Sequence, residues 1–118
     1  MAFSLSTLAG GGRQHVISSV EVRGNWIYLF DEGGRQYKSL PVSTVGEVMG
    51  YSSTFIVSQK GSWIHLYDAE GKMYKTIAVS TVGEVIGVAG DYFTSRKGNW
   101  IYTWDRQGRQ QHIRPVKR

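Results

Sequence analysis

Gly61-Ser62-Trp63-Ile64-His65-Leu66-Tyr67-Asp68 decides how this chain folds, because the stretch is written three times. It stands 37 positions earlier as Gly24-Asn25-Trp26-Ile27-Tyr28-Leu29-Phe30-Asp31, and 37 positions later as Gly98-Asn99-Trp100-Ile101-Tyr102-Thr103-Trp104-Asp105. Gly34, Gly71 and Gly108 keep the same shift, and the string Val42-Ser43-Thr44-Val45-Gly46-Glu47-Val48 returns unchanged 37 positions on, ending at Val85. Self-similarity at a fixed period marks a repeat architecture, in which each unit buries its faces against its neighbours. Three units, 6–42, 43–79 and 80–116, fill the 118 residues without insertion, which makes one repeat domain over 1–118. The first unit departs from the others: it reads Ser6-Thr7-Leu8-Ala9-Gly10-Gly11 where they read Ser-Thr-Val-Gly-Glu-Val. The strand signal is accordingly weakest between 6 and 20.

Local chemistry turns each octet into a hairpin. Residues 53–59 form a β-branched and aromatic run, and Gly61-Ser62 follows as a two-residue turn whose Gly supplies positive φ. The next strand spans 63–68 and ends in Asp68-Ala69-Glu70-Gly71. With Asp first and Gly last, that tetrad suits a type I turn with a bulge. Strands over 72–79 and 83–88 complete a set of four antiparallel strands per unit, about 12 in all if the pattern holds through every unit. No segment carries a useful helical period. By strand alternation Trp26, Tyr28 and Phe30 share one face, and Ile27, Leu29 and Asp31 the other. Both faces are largely apolar, so the strand is expected to be covered on both sides.

Composition agrees. Val, Ile, Thr, Tyr, Phe and Trp supply 42 residues against 10 for Leu and Ala, which excludes an all-α fold. With 41% apolar and 19% charged residues the chain has material for a core and is not a disordered segment. Zero cysteines exclude disulfide scaffolds, thiol nucleophiles and thiolate metal sites. No apolar run approaches the ~18 residues of a membrane span, and the start lacks the marks of a signal peptide. Together these point to a cytoplasmic, reducing location with no membrane partner.

The stretch from Asn25 to Arg35 resembles the N-R-I-x-V-F-D-x-x-G-K run of NHL-type β-propeller repeats. Asn25, Ile27, Phe30, Asp31, Gly34 and the basic Arg35 match, while Trp26 stands where that family usually has Arg. The resemblance extends to all three units and implies four-stranded blades arranged around an axis. Propellers close with 4–8 blades. Three units therefore predict half of a six-bladed β-propeller, completed by homodimerisation, because three blades leave two apolar faces open. The alternative is a β-trefoil monomer, which closes with three four-stranded units in one chain.

No residue pattern points to an enzyme. His15, His65 and His112 fall at different unit positions and outside metal-ligand spacing, so neither a metal nor a cofactor is expected. Asp31, Asp68 and Asp105 recur at turns, where the carboxylate accepts backbone N–H groups. Glu47 and Glu84 recur in short Gly-rich strands and are candidates for a central channel, where clustered carboxylates attract a cation or a basic peptide. Arg23, Lys60 and Lys97 precede the tight turns and would give a ring a basic rim. The formal charge of +5 permits acidic partners, but nucleic acid is not expected, since charge is its sole support. Trp26, Trp63 and Trp100 close the candidate set. Trp after a tight turn is expected to pack across the hairpin or between blades, the rival role being to stack a ligand. These observations predict a non-enzymatic, multivalent binding or assembly module, with a protein or assembly partner placed ahead of a glycan as its ligand. The alternative is a carbohydrate-binding lectin with one site per repeat, Arg23, Lys60 and Lys97 bonding sugar hydroxyls beside Trp26, Trp63 and Trp100.

Overall fold

Eleven strands in three antiparallel sheets account for most of the chain in the computed structural model, which describes residues 15–116. The first sheet holds β1 (Ser19–Arg23), β2 (Trp26–Phe30) and β3 (Gln36–Pro41). The second holds β4 (Glu47–Tyr51), β5 (Phe55–Lys60), β6 (Trp63–Asp68) and β7 (Met73–Ala78). The third holds β8 (Glu84–Ala89), β9 (Tyr92–Lys97), β10 (Trp100–Asp105) and β11 (Gln110–Pro115). Each sheet is a meander in sequence order, and among the described residues no strand of one pairs with a strand of another. A trefoil closes its units on one another within a single chain. The three separate sheets do not close, and the trefoil alternative falls.

The unit 43–79 coincides with one sheet, so the strand expected over 83–88 opens the third sheet and pairs with β9, not β7. The fourth strand expected for the first unit lies outside the described residues. Both turn assignments are visible in the backbone. Gly24, Gly61 and Gly98 have φ of 59, 60 and 62° at the tight turns. After each Asp turn the ladder slips by one residue, between Leu29/Phe30, Leu66/Tyr67 and Thr103/Trp104.

The seven-residue string, of which 80–82 falls between the expected strands, supplies the connections between sheets. Its Val-Ser-Thr-Val portion forms one helical turn, α1 (Val42–Val45) and α2 (Val79–Val82), leading from the last strand of one sheet to the first of the next. Gly46 and Gly83 end these turns at φ 88°, each N–H donating to the carbonyl four residues back at 2.7 Å. A Cβ on Gly46 would stand 2.4 Å from the Gln59 carbonyl oxygen, and one on Gly83 2.5 Å from that of Arg96. Val45 and Val82 are buried beneath the connectors. Helical periodicity cannot reveal a single turn, which spans too few residues to repeat.

Core residues lie between sheets. Ile27, Leu29 and Leu40 of the first sheet meet Ile56 and Tyr67 of the second, with Ile17, Val45 and Ala69 around them. Phe55, Val57, Ile64 and Leu66, on the opposite face of the second sheet, meet Phe93 and Trp104 of the third. The middle sheet is thus covered on both faces, as its sequence predicts. The first strands β4 and β8 approach closely: a methyl on Gly50 would lie 2.7 Å from Val88 Cγ2. The last strands of the first and second sheets reach the next sheet's Asp turn, where Tyr37 Oη donates to the Ala69 carbonyl at 2.6 Å and Tyr74 Oη to that of Arg106 at 2.6 Å.

The outer face of the third sheet is less apolar than three open-ended blades would have it. Tyr92, Thr94, Thr103 and Arg114 occupy on the third sheet the positions of the second sheet's Phe55, Val57, Leu66 and Ile77. Tyr92 is half exposed, whereas Phe55 is fully buried.

The connector glycines and the hairpin glycines should respond differently to substitution. Gly83→Ala, forced into a glycine-only conformation against a backbone oxygen, should cost roughly 3 kcal/mol. Gly61→Asn, with nothing within 4 Å of its Cβ, should cost less than about 1 kcal/mol. Thermal unfolding followed by circular dichroism checks the contrast.

Candidate functional site

Each tight turn brings together one basic residue and one tryptophan. Across the hairpins Arg23 pairs with Trp26, Lys60 with Trp63 and Lys97 with Trp100. The register follows from the two-residue turn, which places the flanking residues directly opposite one another. The tryptophans do not pack in the core: they are 46%, 50% and 46% exposed. Burial between sheets, one of the two packing roles expected of them, is therefore not what they do; each stands across its hairpin from the basic residue. The reason is positional, since Trp26, Trp63 and Trp100 open their strands at the hairpin end, one residue before the buried or half-buried Ile27, Ile64 and Ile101. The fourth, Trp104, is the buried one; its Nε1 donates to Ser95 Oγ at 2.9 Å, and Ser95 Oγ donates to the Val82 carbonyl at 2.6 Å.

The same end of each sheet carries the connectors. The Val42 N–H donates to the Asn25 carbonyl, Val79 to Ser62 and Val116 to Asn99, each at 2.9 Å. Beside the first hairpin Asn25, Trp26, Pro41, Val42 and Ser43 line an open cleft of about 520 Å³. An indole face, an apolar shelf, an amide and a hydroxyl meet there without a charged group.

Two of the three basic residues are held elsewhere. Arg23 Cζ lies 4.4 Å from the centre of the Tyr28 ring and its Nε 3.3 Å from Glu21 Oε1. Lys97 Nζ donates to the carbonyls of Ser80 and Thr81 at 3.2 and 3.3 Å, satisfying α2, and lies 5.6 Å from the Tyr102 ring. Lys60 is exposed. Lys97 thus braces the scaffold behind its tryptophan, a role that sequence spacing does not reveal because its partners sit in the preceding connector.

Glu47 and Glu84 are exposed first residues of β4 and β8, at the end where the connectors enter. They face Gln59 and Arg96 across the ladder. Among the described residues no group of three His, Cys, Asp or Glu side chains is placed to hold a metal. No helix there is long and apolar enough to cross a membrane.

The turn aspartates act as the sequence predicts. Asp31 Oδ1 accepts the N–H groups of Gly33 and Arg35, Asp68 Oδ1 those of Glu70 and Lys72, and Asp105 Oδ1 those of Gln107 and Arg109, all at 2.9–3.0 Å. The Arg35 N–H holds the Asp31 carboxyl below the usual range. Desolvation opposes the same shift at Asp105, but the Arg109 N–H and guanidinium outweigh it.

At the opposite end, sequence reasoning missed a polar cleft of about 310 Å³ lined by residues that include His15, Thr54, Asp68, Glu70 and Arg106. His15 stacks on Tyr37 with ring centres 3.9 Å apart and clamps Glu70 through its N–H (2.6 Å) and Nδ1 (2.8 Å). The contact joins the first unit to the second. Nothing in the sequence pairs positions 55 residues apart.

Fluorescence quenching checks the exposure of the tryptophans: acrylamide should reach Trp26, Trp63 and Trp100 and leave Trp104 shielded. Trp63→Ala should change stability by less than ~1 kcal/mol, whereas Ile64→Ala should cost ~3 kcal/mol. His65 gives a pH signature. Desolvation first, and Lys60 second, hold its pKa below the usual 6.5. The unfolded chain therefore binds the proton more readily, so the stability tied to neutral His65 is intact above about pH 6.5 and declines below it. His65→Tyr, the residue at positions 28 and 102, should remove that part of the decline in denaturant titrations across this range.

No protein-family model matches the chain, and no curated protein matches it.

Proposed function

We propose that this chain is a non-enzymatic, multivalent binding module whose contact points are the tryptophan-tipped hairpins. The carrying observation is that Trp26, Trp63 and Trp100 are about half exposed at the same position of three successive sheets. An exposed indole is a large, rigid, amphipathic contact that loses little entropy on binding. Presenting it several times on one scaffold turns weak single contacts into avidity. The one carboxylate that recurs in every unit, the turn aspartate, is occupied by backbone N–H groups.

In this reading the three sheets are consecutive blades of a β-propeller, and a second copy completes a six-bladed ring. Face-to-face burial at both junctions, the approach of β4 to β8 and the likeness to NHL-type turns support that arrangement. The ring sets all hairpins on one rim, with Glu47 and Glu84 toward its axis.

A second reading makes the ligand a carbohydrate, and the uncharged cleft beside Trp26 favours it. A sugar presents an apolar face to an indole and hydroxyls to groups such as Asn25 and Ser43. With Arg23 and Lys97 engaged within the fold, the hydrogen bonding falls to the amide and hydroxyl and not to the basic residues first considered.

A glycan array probed with wild type and with single, double and triple Trp→Ala variants at positions 26, 63 and 100 tests both. On the carbohydrate reading a neutral glycan binds, and its binding falls stepwise with each substitution. Undiminished binding by the triple variant contradicts the tryptophan sites. Failure to bind any glycan removes the carbohydrate reading and leaves a protein ligand.

A further inference from the structure

The two internal junctions are built from corresponding residues, and their unmatched halves stand at the two ends of the chain. At the first junction Tyr37 Oη bonds the Ala69 carbonyl, and Lys38 and Leu40 cover Gly71, whose added Cβ would meet them at 3.2–3.3 Å. At the second, Tyr74 Oη bonds the Arg106 carbonyl, and Lys75 and Ile77 cover Gly108. Advancing the donors by one unit gives Gln111, His112 and Arg114 on β11, all exposed. Moving the acceptors back by one unit gives the Glu32 carbonyl and Gly34. Gly34 has the same backbone as its counterparts, φ 81° against 86 and 85°, yet among the described residues nothing lies within 4 Å of an added Cβ. The turn is shaped for a cover that the described residues do not supply.

We infer that the outer face of the third sheet docks on the outer face of the first sheet of a second copy, closing two head-to-tail junctions per pair. The inference rests on the ring arrangement and adds its chemistry. The outgoing surface is more polar than the internal junctions, and the charges of the two surfaces are complementary. The outgoing face carries Arg96, His112 and Arg114; Glu84 stands opposite Arg96 in the ladder, and Asp105 is held by its own turn. The incoming side offers Glu32 as the exposed carboxylate of the turn that must be covered. Glu21 lies on the same side, shared with Arg23. Gln111 keeps a side-chain donor where the internal junctions use tyrosine. A heterologous interface of this kind closes when the rotation per copy divides a full turn, and three blades per copy make that half a turn. Pairing of exposed charges also makes the closure weaken as salt rises.

Light scattering behind size exclusion at low salt tests this on wild type, Arg114→Glu, Glu32→Arg and an equimolar mixture of those two variants, with circular dichroism verifying each fold. The expected masses are about 26 kDa for wild type, twice the 13.2 kDa chain, and about 13 kDa for each variant alone. The mixture pairs each reversed residue with its opposite at one of the two junctions and should recover some pair. Gln111→Tyr, restoring the internal hydroxyl, should lower the concentration at which pairs form by about tenfold, equivalent to ~1.4 kcal/mol. A wild-type pair unmoved by either charge reversal overturns the assigned junction while leaving a ring by other contacts. A wild type of 13 kDa at every concentration overturns the junction and the ring together.

Discussion

Mutual burial of sheet faces is the constraint on which the remainder of this structure depends. A sheet of strands only five or six residues long, with one half-covered face, is marginal in water. Here Ile27 and Leu29 are buried because Ile56 and Tyr67 lie over them, and Ile64 and Leu66 because Phe93 and Trp104 do. No sheet owns a core. The connectors make this sharing geometrically reproducible: one helical turn, a valine driven inward, and a glycine that passes within contact of a neighbouring backbone carbonyl. Those features account for the inner valine and the glycine that the seven-residue string repeats at both junctions.

From that constraint follows a division of labour between the two ends of each sheet. The end with the Asp turns is spent on structure. Its carboxylates tie their own loops, its tyrosine hydroxyls latch one sheet to the next, and His15 clamps Glu70. The end with the tight hairpins has the connectors for internal support, and Lys97 satisfies the carbonyls of α2. Its tryptophans take no part in the core and are left half in water. A large aromatic residue kept at one exposed position in three units is the feature of the molecule that structural need does not explain.

Much of this was legible in the sequence. The period of 37, the octets and the turn glycines specify antiparallel four-stranded units, and the turn aspartates disclose their own hydrogen bonding. Three features were not legible. The connectors were hidden because one helical turn is too short to show a period. The exposure of the tryptophans was hidden because strand alternation gives a residue's face but not its distance from the strand end, where cover runs out. The engagement of Lys97 with α2, and of His15 with Glu70, depends on contacts between units that local spacing cannot encode. The polar residues at Thr94, Thr103 and Arg114 carried a signal that was available: they break an otherwise apolar pattern in the last unit, which distinguishes an end face from an internal one.

Amide hydrogen exchange on wild type and Val82→Ala is the most direct measurement of shared burial. Val82 sits fully buried in the connector between the second and third sheets, within the cluster that joins them. Mutual burial predicts that its truncation lowers protection in β6 and β10 together, on both sides of the junction. Loss of protection confined to α2, with both strands unchanged, would show that each sheet holds itself together and would contradict the shared core.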